Sequence, residues 1–338
     1  MCAMTCSPER LKYLALLAEG YPTVQSLCSE IVHLEAILAL PKGTEHFMSD
    51  IHGEYEAFCH ILNNCSGVIR EKVNMLFSGT RTGREISQLC TLIYYPAEKL
   101  KRLKKQGVLT RAWYQHTLHD LIALSKLLSS KYTRNKVRKA MPEAYAFLLD
   151  ELLHAQADED DNQVAYHERL LESILDISEG DDFIVEVSTL IKRLAVDRLH
   201  VVGDIFDRGP RADSVLELLE QHHSVDITWG NHDILWMGAA SGSAVCCCAV
   251  VRTCLSYHNM DILERGYGIP LRPLTLFAEK TYPELTPEAA ALHAITLMMF
   301  KLEGQLIRRN PDFDMDERLL LDKIDWKQHC FTDEAGTW

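Results

Sequence analysis

At 338 residues, 47% of them hydrophobic, the chain carries enough apolar material for one large or two ordinary globular domains. A formal charge of −13 excludes a general nucleic-acid binder, which gains affinity by neutralising phosphates with lysine and arginine. Eleven cysteines without zinc-cluster or disulfide-scaffold spacing, no signal-like amino terminus, and no uncharged apolar run of ~18 residues predict a cytoplasmic protein with reduced thiols and no membrane segment.

Ser7-Pro8-Glu9 is a helix start, with a hydroxyl at the cap, proline in the first turn and an acid beside the positive helix end. This helix is expected to carry Leu11, Leu14 and Leu17 inward and to end at Gly20. A second helix follows Pro22, with Val24, Leu27, Ile31, Leu34 and Leu38 on one face, and stops before Pro41-Lys42-Gly43. From Glu45 the period changes. Phe47 and Met48 lead into Ser49-Asp50-Ile51-His52-Gly53-Glu54, and Tyr55, Phe58 and Ile61-Leu62 resume a helical pattern, so the stretch reads as strand, turn and helix.

Between Val68 and Gly180 the pattern is mostly helical, with Leu118–Leu128 and Ala144–Leu153 as clear helices and an acidic loop at Asp158–Asp161. The basic runs Lys99–Lys105 and Lys131–Lys139 read as solvated helix faces. The α/β pattern returns with a helix at Phe183–Leu194, a buried parallel strand at Leu199–Val202, a helix bearing Val215, Leu216 and Leu219, and a strand at Val225–Trp229. Helices follow through Cys246–Leu255 and Ala289–Ile307, and the cysteine triplet 246–248 reads as packing. Thr332–Trp338 has no closing element by pattern.

Three strands thus end in polar turns: Asp50-Ile51-His52-Gly53, Gly203-Asp204-Ile205-Phe206-Asp207-Arg208-Gly209 and Gly230-Asn231-His232-Asp233. Ligands of open α/β sheets bind at the carboxyl ends of strands. Asp50, His52 and Asp204 would hold one metal, and Asp204 would bridge to a second that Asn231 also binds. Mixed oxygen and nitrogen ligands suit manganese, iron or zinc better than calcium. Arg208 would bind a phosphate and offset charge on its oxygens, and His232 would protonate the leaving alkoxide while Asp207 holds its ring. The chemistry is metal-assisted phosphoryl transfer to water.

The Asp-x-His-Gly, Gly-Asp-x-x-Asp-Arg-Gly and Gly-Asn-His-Asp series resembles the calcineurin-like metallophosphoesterases. More narrowly, Phe47–Glu54, Trp229–Ala240 and Asp261–Ile269 resemble the bacterial, Firmicutes-type class III fructose-1,6-bisphosphatases. The resemblance implies an α/β calcineurin-like sheet sandwich, incomplete at the carboxyl end, with a large helical insertion. It also implies two divalent ions, most readily Mn2+, and hydrolysis of fructose 1,6-bisphosphate to fructose 6-phosphate and phosphate in gluconeogenesis. The roles given above to Asp50, His52, Asp204, Asp207, Arg208, Asn231 and His232 match those it implies. Class III enzymes are longer, so the chain resembles their amino-terminal part.

The expected division is a helical lead-in at 1–43, the first motif unit at 44–67, the insertion at 68–180, the phosphoesterase core at 181–241 and a helical region at 242–338. Two departures stand out. Trp229 and Asp233 occupy positions where protein phosphatases of the superfamily carry arginine and glutamate. A downstream Gly-His pair that completes the second metal site is also missing, with His258, His293 and His329 as candidates by position alone. Two alternatives remain: a phosphoprotein or dinucleoside-polyphosphate phosphatase of the same superfamily, or a catalytically incomplete fragment that binds metal or a partner. The expected partner is a small sugar phosphate, without nucleic acid or membrane, and self-assembly into a homo-oligomer is left open.

Overall fold

The structure is a computed structural model that describes residues 7–154, 161–325, 327–328, 330–333 and 336–337. The chain opens with α1 (Pro8–Gly20), α2 (Val24–Ile37), β1 (Glu45–Met48) and α3 (Tyr55–Asn64). There follow α4 (Val68–Phe77), α5 (Gly83–Tyr94), α6 (Pro96–Lys105), α7 (Arg111–Ser129), α8 (Arg134–Ala140), α9 (Ala146–His154), α10 (Asp161–Asp176) and α11 (Gly180–Ala195). Then come β2 (Arg198–Val202), α12 (Ala212–Glu220), β3 (Val225–Thr228), α13 (Asn231–Ala240), α14 (Ala244–Ser256), α15 (Arg272–Thr281) and α16 (Pro287–Arg309). Three short strands, β4 (Ile324–Asp325), β5 (Cys330–Asp333) and β6 (Gly336–Thr337), close the order. The protein is α/β, mostly helical with a small parallel sheet.

Two compact units emerge, Met1–Thr44 with Gly67–Val196 and Glu45–Ser66 with Asp197–Trp338. The first is helical. Five of its helices, α1, α2, α5, α7 and α8, start on side-chain caps: Ser7 accepts from Arg10 N at 3.2 Å, and Thr82 and Glu85 cap α5 reciprocally. Its core is built on α7 and α11, which pack together and bury Leu118, Leu121, Leu124, Phe183, Ile184, Leu190 and Ile191.

Two expectations fail in this unit. The apolar faces of α1 and α2 point outward: neither helix buries a residue, and Leu11, Leu14, Leu17, Val24, Leu27, Ile31, Leu34 and Leu38 are all exposed. Their caps and backbone bonds suffice to form the helices, whereas burial needs a partner element. Nor are the basic runs uniformly solvated. Lys99 is only 7% exposed, and Lys131 Nζ donates to Thr44 Oγ1 at 3.0 Å. The acidic loop lies largely outside the described residues.

In the second unit β1, β2 and β3 form a parallel sheet in that order, with Met48 beside Val201 and Val202 beside Thr228. Leu199 and Val201 are fully buried, joining Ile51, Phe58, Ile205, Phe206, Val215, Val250 and Ile262 in one apolar cluster. Phe206 stacks on Trp236 at 4.5 Å between ring centroids. β2 is not buried on both faces as expected, because its alternate residues leave the cluster: Val202 is exposed, and His200 stacks on the exposed Phe47. The carboxyl-terminal stretch also departs from expectation, since β5 pairs antiparallel with β4 and β6 by backbone bonds that side-chain periodicity does not report.

The nine described cysteines are free thiols. Among the described residues no helix is long and apolar enough to cross a membrane.

Leu121→Ala should lower unfolding free energy by ~2–5 kcal/mol in urea titration, whereas Leu14→Ala on the exposed face of α1 should change it by no more than ~0.5 kcal/mol. Burial pushes the Cys254 thiol up to about 12. At pH 8, iodoacetamide should therefore modify exposed Cys247 well before Cys254 in peptide mass maps.

Candidate metal centre

Because β1, β2 and β3 run parallel, the loops that follow them emerge at one end of the sheet. Asp50 and His52 lie in the first loop, Asp204, Asp207 and Arg208 in the second, and Asn231 and His232 open α13 after the third. Asp50, His52 and Asp204 adopt left-handed backbone conformations, with φ of 53°, 51° and 52°. Such positions cost ~1–3 kcal/mol each for a residue with a Cβ and are held by their surroundings. One such hold is direct: His52 N donates to Asp204 O at 2.9 Å.

Glycines allow the loops to touch. A Cβ on Gly53 would lie 2.6 Å from Gly209 O, one on Gly209 would strike His52 O, and one on Gly230 would strike Asp204 Oδ1. Asp233, nine-tenths buried, binds the second and third loops together. Its Oδ1 accepts from Ile205 N and Phe206 N, both at 3.0 Å, and its Oδ2 accepts from Gly230 N at 2.8 Å. Asn259, also buried, donates from Nδ2 to Gly209 O at 2.7 Å.

One ligand atom each from Asp50, His52 and Asp204 can be chosen so that all lie within 4.8 Å of one another, a group able to hold a metal ion. Among the described residues Asp204 Oδ1 is buried without a hydrogen-bond partner, an unfavourable state for a carboxylate that a cation relieves. The residues therefore fit a divalent ion.

Asp207 sits beside this group with its side chain 5% exposed. Its Oδ2 lies 3.7 Å from His52 Nε2 and accepts from Arg208 Nε at 3.0 Å. Its Oδ1 lies 3.3 Å from His232 Nε2 without an aligned hydrogen bond. Arg208 is exposed, with its guanidinium carbon 5.4 Å from the centre of the Tyr257 ring. Asp50, His52, Asp204, Asp207, Arg208 and His232 are thus close together, whereas Asn231 is exposed at the head of α13, and among the described residues no hydrogen bond or ion pair joins its side chain to the group.

Among the described residues, His258 and His293 are not part of the metal-capable group. His258 is exposed after α14, His293 packs its ring edge-to-face with Tyr282 on α16, and His329 lies outside the described residues. Two supports went unnoticed in the sequence. Asp233 stands in a motif but bonds to residues 27 and 28 positions earlier, and Asn259 reaches 50 positions back with no local motif of its own.

The chain matches the family model of Firmicute fructose-1,6-bisphosphatase over residues 12–338 and belongs to that family. It is 49% identical to the class 3 fructose-1,6-bisphosphatase of Listeria monocytogenes serotype 4b (strain CLIP80459), covering 94% of this chain and 52% of the relative. It is 48% identical to the protein of the same name from Clostridium botulinum (strain Loch Maree / Type A3), covering 95% of this chain and 51% of the relative. The chain therefore spans about half the length of these curated relatives. No solved structure matches it.

Asp233→Ala would leave three backbone donors without their acceptor. It should cost ~1–3 kcal/mol or more in chemical denaturation and weaken divalent-ion binding measured by calorimetry. An unchanged midpoint and unchanged affinity would contradict this role.

Proposed function

We propose that this chain carries the metal and phosphate site of a fructose-1,6-bisphosphatase, which releases the 1-phosphate of fructose 1,6-bisphosphate as inorganic phosphate and leaves fructose 6-phosphate. The single observation that carries the chemistry is the Asp50–His52–Asp204 group with the buried, unpartnered Asp204 oxygen. The sugar rests on the family and on the names of the relatives.

Asp50, His52 and Asp204 would hold one ion, and Asp204 would share a second with Asn231, most readily as Mn2+. When bound, such ions lower the pKa of water and draw off negative charge from phosphate oxygens. Arg208 uses Nε on Asp207, which leaves its terminal nitrogens for the phosphate. One ring nitrogen of His232 faces Asp207, and the other is left to deliver a proton to the leaving sugar oxygen. Asp207 thereby orients both groups from a buried position.

The calcineurin-like sandwich belongs to the same reading. The face of β1–β2–β3 that bears Phe47 and Val202 is open to a second layer. Gluconeogenesis and a cytoplasmic location follow from the same proposal. The phosphoprotein and dinucleoside-polyphosphate readings have no observation in their favour.

The test is phosphate release from fructose 1,6-bisphosphate by the purified chain with manganese. Release should stop on chelation, return when manganese is restored, and vanish in Asp204→Asn. His232→Asn should lower kcat by ~10²–10⁴-fold with metal affinity retained. Failure of the chain to release phosphate with any divalent ion would overturn the assignment of this activity to it.

A further inference from the structure

Arg208 and Gly209 in the second loop are gripped from outside the three motif loops, by the residues that end α14. This helix has Tyr257 at its cap, and His258 follows in the left-handed conformation at φ 53°. His258 N donates to Leu255 O at 3.2 Å, and Asn259 N donates to Cys254 O at 2.8 Å. A left-handed residue with this pair of backbone bonds is the Schellman helix end. Glycine is the usual residue at that position, because a Cβ is crowded there. Here an exposed histidine takes it, so the reversal of the chain is kept in spite of local strain.

The reversal sets two neighbours against two neighbours. Asn259, 6% exposed, donates from Nδ2 to Gly209 O at 2.7 Å. The half-exposed Tyr257 places its ring face beneath the Arg208 guanidinium, whose carbon lies 5.4 Å from the ring centre. That is within the ~6 Å at which an aromatic face attracts a cation. The Arg208 side chain is otherwise 64% exposed, and it donates from Nε to Asp207 Oδ2 at 3.0 Å. One bond at Nε leaves the plane of the guanidinium free to swing about that bond. A ring face beside the plane removes this freedom, and two-pronged binding of a phosphate by arginine depends on how the plane is turned.

We propose that Tyr257 is a positioning residue for phosphate recognition, which together with Asp207 fixes the plane of Arg208 and presents its terminal nitrogens to the phosphate. The end of α14, pinned to Gly209 by Asn259, is the rigid support that keeps the ring in place. The inference rests on the phosphate role proposed for Arg208.

The test is calorimetric titration of inorganic phosphate into the manganese-loaded chain. Tyr257→Leu removes the ring face and should weaken phosphate binding ~2–5-fold with manganese affinity unchanged. Tyr257→Phe keeps the face and should bind phosphate as the unsubstituted chain does. Arg208→Gln should also weaken binding, and in that background Tyr257→Leu should add no further loss, because the group it positions is gone. This coupling separates positioning of Arg208 from a general structural effect, which would persist without the arginine.

Three outcomes would overturn the proposal while leaving Arg208 its role: undiminished binding in Tyr257→Leu, an equal loss in Tyr257→Phe, or a further loss when Tyr257→Leu is added to Arg208→Gln. Undiminished binding in Arg208→Gln, or no phosphate binding by the unsubstituted chain, would instead remove the phosphate role of Arg208 and the proposal with it.

Discussion

A single buried carboxylate sets the geometry on which the site depends. Asp233 gathers three backbone N–H groups, two from the loop after β2 and one from the turn after β3, and does so at the amino terminus of α13, where negative charge is stabilised by the helix. Its three accepted bonds hold the Gly203–Arg208 loop against the start of α13. Asp204 and Asp207 on one side and His232 on the other are thereby presented together, and the strained φ of Asp204 is held by the same contact region.

The parallel sheet supplies the rest of the arrangement. Three strands pointing one way deliver three loops to one end, and the glycines at 53, 209 and 230 let those loops approach to distances that a Cβ would forbid. The His52 N to Asp204 O bond then joins the first loop to the second, and Asn259 secures Gly209 from a fourth segment. Metal-capable side chains are brought to one place by backbone contacts made chiefly by residues that would not themselves touch an ion.

Electrostatics reconciles an acidic chain with the proposed phosphate chemistry. The formal charge of −13 is a property of the whole, while recognition of phosphate needs only local positive groups. Arg208 at the metal centre is steered by Asp207, which costs it one donor and leaves the others outward. Lys99 in the helical unit has most of its surface removed from water although it stands in a basic run.

Much of the site was legible in the sequence because its signals are local. A strand that stops in aspartate, histidine and glycine announces itself within ten residues, and it is this pattern that makes Asp50, His52, Asp204, Asp207, Arg208 and His232 candidates, which the fold brings close together. Helices were legible for the same reason, since caps and the 3.6-residue period are short-range. Local patterns determine which faces of a helix or strand are apolar. They do not determine whether another element covers those faces, so Leu14 and Val202 proved exposed and Lys99 buried. The work of Asp233 and Asn259 was equally out of reach, because their partners lie 27, 28 and 50 residues away in the chain and only the folded backbone brings donor to acceptor. Sequence by itself determined which side chains are candidates for the chemistry, through residue types at fixed spacing; tertiary structure alone decided what is buried and what holds the loops in register, because burial and long-range hydrogen bonds are properties of pairs of segments.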